Sequence, residues 1–362
     1  MNLDSLGWNS FFEKAYEEYS TDKQAQPARV ARQNKAQYEV YCKEGHLTAQ
    51  TSGAFNFAAE SSTDFPTVGD WVVISKIPDE EKAIIHVVLP RKSAFTRKVA
   101  GTITDEQVIA SNVDVIFIVT GLDNNYNLSR IERYLAQTLM SGTQPVILLN
   151  KADLCLNPQE KLAEVQAIAG TAPVHLFSAI EDTDLNFLLD YIDRGVTATL
   201  TGSSGVGKTT IINSFLESQL LPTQQISNTV GKGMHTTTWR EMVLLPNGGI
   251  VIDTPGMREL QLWADDDYQP SHFEEIERII GACHFRNCNH KDEPGCAIRA
   301  ALEDGSLEER RWRSYQKMTK EIQQLEFRKN IKAKRNAKAR SKAISKYSRQ
   351  LKKMRAGRGK EW

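Results

Sequence analysis

Gly202-Ser203-Ser204-Gly205-Val206-Gly207-Lys208-Thr209 satisfies the pattern G-x-x-x-x-G-K-[ST] in full. It follows a strand-like segment, TATLT, and leads into a helix-like one, TTIINSFLES, the context in which such a loop binds phosphate. The glycines let successive backbone N–H groups turn inward around an anion. Lys208 supplies a point charge for the β- and γ-phosphates. The Thr209 hydroxyl suits Mg²⁺, and Thr210 follows it on the helix. Taken alone, this loop accepts ATP or GTP.

Asn150-Lys151-Ala152-Asp153 ends the strand-like PVILLN and reads as a base-recognition motif. A carboxylate at Asp153 can accept from both N1–H and the exocyclic N2–H₂ of guanine, a donor pair that adenine does not present. A site built around that contact rejects adenine because its carboxylate would be left unpaired. The Lys151 stem can cover the base plane. Ser178-Ala179, at the end of VHLFS, is weak alone, but beside 150–153 its backbone N–H groups can meet the guanine O6.

Asp253-Thr254-Pro255-Gly256 ends the apolar segment GIVID, 45 residues after Lys208. Asp253 is placed to hold a water ligand of Mg²⁺, and the Gly256 N–H to approach a γ-phosphate. Between the two motifs lies Val230-Gly231-Lys232-Gly233-Met234-His235-Thr236-Thr237-Thr238. A glycine-rich stretch ending in threonines fits a switch loop ordered by the γ-phosphate and Mg²⁺. One of Thr236–Thr238 is the expected metal ligand, with Thr237 taken here. Ras-like proteins carry a glutamine after D-x-x-G. Met257 stands there in this chain and cannot orient water, so His235 is the resident candidate for that task.

Three of the five cysteines fall within fourteen residues, and Cys42 and Cys155 stand alone. Cys283, Cys288, His290 and Cys296 form a Cys₃His set with no obvious open position, which describes a closed, structural zinc site. Scattered reduced thiols are the bland alternative.

These residues need a scaffold. Residues 113–260 alternate apolar strand-like runs (VDVIFIVT, PVILLN, VHLFS, TATLT, GIVID) with helical stretches near 129–140, 159–169 and 184–193. That alternation predicts an α/β domain with a mostly parallel sheet and helices on both faces, binding ligand at the C-terminal strand ends. Residues 36–95 hold YEVYC, FNFAA, DWVVISK and AIIHVVL between turn signals and predict a five-stranded barrel, OB-like or SH3-like. Residues 1–30 read as an amphipathic helix with Trp8, Phe11, Phe12, Tyr16 and Tyr19, then a linker ending near Pro27. Docking onto the body competes there with binding a partner.

Charge is lopsided. Residues 328–360 hold fifteen Lys or Arg and no acid, whereas the first 327 residues hold 30 basic and 44 acidic side chains. An acidic body with a basic tail predicts an arm for a polyanion. No apolar run approaches a membrane span and the N-terminus lacks a secretory pattern, so a cytoplasmic protein is expected.

In an ordinary GTPase the order is phosphate loop, switch threonine, D-x-x-G, N-K-x-D, S-A. Here the order begins at 150 and runs through 178, 202, 236 and 253, so the cycle is kept and its start has moved. With PTVGDWV in the barrel, EQVIASNVD before the first G-domain strand and the Cys/His spacing, the chain resembles the ribosome small-subunit-dependent GTPases over roughly residues 36–325. These are bacterial circularly permuted GTPases with an OB barrel and a zinc domain.

Over that span the resemblance implies an OB-like barrel (36–98), a permuted P-loop GTPase domain (105–268) and a helical zinc-binding domain (269–327), while an N-terminal extension (1–35) and a basic tail (328–362) exceed the minimum family pattern. It further implies GTP hydrolysis in late maturation of the 30S particle, GTP/GDP and rRNA as partners, one Zn²⁺, Mg²⁺ with the nucleotide, and a monomer. Two alternatives remain: a GTP-switched RNA-binding module with incidental turnover, and a permuted GTPase of another ribosomal particle.

Overall fold

The computed structural model describes residues 1–317, 319, 320 and 323, apart from 20–23, 35–36, 99–105, 125, 182–184, 218–239 and 254–272. The expectations for His235, Thr237, Gly256 and the tail lie outside these residues. The chain divides into two compact units, 1–314 and 315–362, and the fold below is that of the first.

Five strands close a barrel: β1 (Ala25–Asn34), β2 (Gln37–Cys42), β3 (Gly45–Thr51), β4 (Trp71–Lys76) and β5 (Lys82–Val88). Their order is β1-β2-β3-β5-β4, with β4 returning to β1 and β3 running parallel to β5. That is the partly parallel, closed Greek-key arrangement of an OB barrel. Alternate residues fill it, including Val30, Val40, Leu47, Val72, Ile74 and Ile85, all buried.

Two expectations are corrected here. The barrel begins at Ala25, because the presumed linker around Pro27 is strand β1, paired with β2 and β4. FNFAA is not a strand but part of helix α2 (Gly53–Ala58), which the Ser52 hydroxyl caps by accepting from the Phe55 N–H at 3.0 Å.

Ahead of the barrel, α1 (Ser10–Tyr16) docks on the body. Phe12 and Trp8 lie against Trp71, at ring distances of 5.8 and 4.7 Å. After the barrel, β6 (Ala94–Lys98) and β7 (Glu106–Ser111) form an antiparallel hairpin across the expected domain boundary.

The α/β part follows: β8 (Val115–Gly121), α3 (Leu128–Met140), β9 (Gln144–Asn150), α4 (Pro158–Ala169), β10 (Val174–Leu176), β11 (Thr197–Thr201), α5 (Lys208–Glu217), β12 (Arg240–Leu244) and β13 (Ile250–Asp253). The stretch expected as a helix near 184–193 is a short 3₁₀ segment, Asn186–Tyr191. Strands β10, β9, β8, β11 and β13 are parallel neighbours, while β12 runs antiparallel to β13. β8 and β11 are buried along their whole length, as strands covered on both faces must be.

Strand β12 also pairs with β1, so among the described residues G-domain sheet and barrel are one eleven-stranded sheet. Arg32 and Glu241, opposite one another in that register, form an ion pair of 2.8 Å.

Finally, α6 (Glu274–Gly281) and α7 (Ala297–Glu303) flank the Cys/His loop, and a helical segment begins at 309. Among the described residues no helix is long and apolar enough to cross a membrane.

Candidate functional site

Strands β8, β9, β11 and β13 end at Gly121, Asn150, Thr201 and Asp253 on one edge of the sheet, and the sequence motifs meet there. The phosphate loop leaves β11 at Gly202, whose φ is +140°. A Cβ at that position would collide with the Val119 carbonyl oxygen. Gly207 has a φ of +104°, and a Cβ there would strike the Asn150 amide. Both positions need glycine for the turn and for the close approach.

Asn150 is buried and ties three segments together. Its Nδ2 donates to the Val206 carbonyl at 2.8 Å, and its Oδ1 accepts from the N–H groups of Lys151 at 2.7 Å and Ala179 at 2.9 Å. The base motif, the Ser178-Ala179 turn and the phosphate loop are thus joined through one side chain. The Ala179 N–H, expected at a guanine O6, is engaged by Asn150. The buried Ser178 Oγ accepts from the Ile180 and Glu181 N–H groups, at 3.4 and 3.3 Å.

Lys151 has a φ of +64°, and its ammonium lies 2.6 Å from Asp123 Oδ2. That contact fixes the head of the side chain while its stem passes Gly121. Asp123 was not singled out in the sequence. Its only signal is its place two residues beyond the end of β8, where ligand-contacting residues gather in such sheets. Asp153 sits exposed in a one-turn 3₁₀ helix, Ala152–Leu154, with its carboxylate open to solvent.

The Lys208 ammonium donates to the carbonyls of Gly202 (2.8 Å) and Ser203 (2.6 Å), inside the curve of its own loop. Ser204, Gly205, Thr209 and Thr210 are exposed along that curve, and Val206 is buried beneath it. Asp253 ends β13. Burial pushes its carboxyl up from the ordinary value, against the pull of Lys208, and Glu241 adds to the rise. A cation at this edge would relieve that burial cost.

The Cys/His cluster forms a second centre. The donor atoms of Cys283, Cys288, His290 and Cys296 all lie within 4.8 Å of one another. His290 Nδ1 is 3.6 Å from Cys283 Sγ and 3.7 Å from Cys296 Sγ. Those spacings match the roughly 3.6 Å between sulfur and nitrogen ligands of a tetrahedral zinc. Burial works against a thiolate at Cys283, but the N–H groups of Ala297 and Ile298 together with hydrogen bonds from Cys288 and Cys296 hold the thiol below its ordinary value. His290 has a φ of +58°, in a loop held by the Glu293 carboxylate, which accepts from the Asn289 and Lys291 N–H groups at 3.0 Å each. The donor set therefore fits a soft, tetrahedral metal ion.

Sequence comparison matches residues 88–263 to the RsgA GTPase family. A "small ribosomal subunit biogenesis GTPase RsgA" of Opitutus terrae is 43% identical over 330 residues, spanning 89% of this chain and 90% of its own. A protein of that name from Syntrophotalea carbinolica is 40% identical over 355 residues, 95% and 96% of the two chains. Among solved structures, YjeQ from Thermotoga maritima superposes with a TM-score of 0.59 at 26% identity, covering 82% of this chain and 98% of that one. YloQ, described as a circularly permuted GTPase, gives 0.56 at 22% identity over 83% and 96%, a likeness of fold.

With N-K-x-D on β9 ahead of a phosphate loop after β11, the fold and site define a circularly permuted P-loop GTPase, a hydrolase acting on GTP. The chain belongs to the RsgA GTPase family.

Proposed function

We propose that this GTPase works on the small ribosomal subunit late in that particle's maturation, as a cytoplasmic monomer that binds rRNA, is stimulated by the subunit and leaves it once GTP is hydrolysed. The relatives' printed names supply the particle. The observation that carries the nucleotide half is Asn150, which brings the base motif and the phosphate loop to one place.

In this reading Asp153 accepts from guanine, and Lys151, braced by Asp123, covers the base. The N–H groups of residues 202–210 cradle the phosphates. Lys208 turns from its two carbonyls to the β/γ-phosphates, exchanging hydrogen bonds to neutral groups for stronger ones to an anion. Thr209 and Thr237 hold Mg²⁺, with Asp253 acting through water and the Gly256 N–H meeting the γ-phosphate. When bound, Mg²⁺ would supply positive charge against the charge that develops on the phosphates. His235 orients the attacking water. Cys283, Cys288, His290 and Cys296 hold one structural Zn²⁺, and the donor spacing supports that choice.

The test is GTP turnover by the purified chain alone, with small subunits and with large subunits. A rise with small subunits only is expected. His235→Ala should keep GTP affinity within a few-fold and lower stimulated turnover by about a hundredfold. Equal turnover under all three conditions favours a GTP-switched RNA-binding module, and stimulation by the large subunit favours another particle.

A further inference from the structure

Helix α3 lies between the two centres. Asn127 caps it, accepting from the Arg130 N–H at 3.0 Å, and its apolar face (Ile131, Tyr134, Leu135) is buried in the core. Two other faces carry charge. Arg130 reaches the phosphate loop, where its Nη1 donates to Ser203 Oγ at 2.5 Å. Glu132, two residues on, points about 200° away around the helix. It is only 1% exposed, a burial that a carboxylate tolerates only with partners.

Its partners come from the helical segment beyond the Cys/His loop. Arg311 Nη1 donates to Oε1 at 3.1 Å and the Ser314 hydroxyl to Oε2 at 3.0 Å. Arg310 Nη1 lies 2.9 Å from Oε2, an ion pair without hydrogen-bond alignment. The same segment packs on the Cys/His cluster, since buried Trp312 meets the His290 ring edge-on at 5.5 Å. Arg311 is held further by Glu275 at 2.7 Å and by the face of Phe273.

A continuous set of contacts therefore runs from His290 through Trp312, Arg311 and Glu132 into α3, and from Arg130 to Ser203. Ser203 is also one of the two residues whose carbonyls hold Lys208. When Lys208 turns to phosphate, that carbonyl is released, and the Arg130 bond to the Ser203 hydroxyl remains to keep the loop in shape.

We propose that α3 carries the seating of the Cys/His module to the phosphate loop, with Glu132 as its anchor and Arg130 as a positioning residue for GTP hydrolysis that acts through Ser203. This rests on GTP hydrolysis at that loop and adds an input to it. Whatever displaces the Cys/His module, such as docking on a large partner, pulls on Glu132. A rigid helix converts that pull into a shift of Arg130.

Steady-state turnover by the full chain tests this as a double-mutant cycle, because contiguity alone does not demonstrate coupling. Arg130→Ala should lower kcat about tenfold with KM changed less than about twofold, and Arg130→Lys should restore part of it. Glu132→Gln should cause a similar loss in the wild-type background and no further loss with Arg130→Ala. Since Glu132→Gln disturbs a buried ion cluster, Ser314→Ala serves as the milder probe. It should lower kcat about two- to threefold, again only when Arg130 is present. Thermal melting and metal content show whether each variant is folded. Losses that multiply in the double variants, or an Arg130→Ala enzyme with unchanged kcat, overturn the relay. Wild-type protein without GTP turnover would overturn the GTPase assignment itself, and the relay with it.

Discussion

The buried Asn150 amide bonds to the Val206 carbonyl, the Ala179 N–H and the Lys151 N–H, so its main task in this structure is to assemble the site. Base selection is proposed to rest with Asp153, which is exposed. Asp153→Asn should weaken GTP by at least about a hundredfold and admit xanthosine nucleotides, whose C2 carbonyl suits an amide donor. Competition binding with GTP, XTP and ATP checks this, and equal competition by ATP in the wild type would contradict it. These residues were legible because each motif is local: a glycine that must turn and a lysine six residues later declare themselves within one loop. Asp123 and Arg130 were not, because their partners Lys151 and Ser203 are 28 and 73 residues away. Their types are also common on any surface.

Among the elements, the parallel strands were read correctly because full burial makes them continuous apolar runs, as in VIFIVTG. Strand β1 is hard to see in the sequence because AQPARVARQN carries a proline and two arginines. Burying Arg29 is possible only because its guanidinium donates to the carbonyls of Leu6, Gly69 and Asn112 and to Thr197 Oγ1. Burial still lowers its pKa to about 10. In sequence Phe55 and Phe57 alternate as in a strand, yet both lie on helix α2. In the fold Phe55 meets Phe65, while Phe57 is 94% exposed.

The Cys/His loop was legible from spacing alone, as ligand sets with short separations are. Its role is testable by metal analysis. Wild-type protein should hold one zinc per chain, whereas Cys288→Ala should hold none and melt at lower temperature, with GTP affinity kept. Absence of zinc from wild type purified without chelator would contradict the assignment.

Across the whole molecule, the barrel and G domain share one sheet, and Arg29 pins the N-terminal segment, the barrel and the start of β11 together. These bonds make barrel and G domain a single body. The fifteen basic residues of 328–360 oppose an acidic body, so the tail should dominate attraction to RNA. With about six to eight phosphate contacts, log affinity for the small subunit should fall with log salt at a slope of roughly −5 to −7. Deleting residues from Arg328 onward should flatten that slope and leave intrinsic GTP hydrolysis unchanged. An unchanged slope would move the docking surface to the barrel or the Cys/His module.

The most direct measurement is co-sedimentation of the full chain with purified small and large ribosomal subunits, in a non-hydrolysable GTP analogue and in GDP. The account predicts a complex with the small subunit in the analogue that is lost in GDP. Equal retention in both nucleotides, or preference for the large subunit, would contradict it.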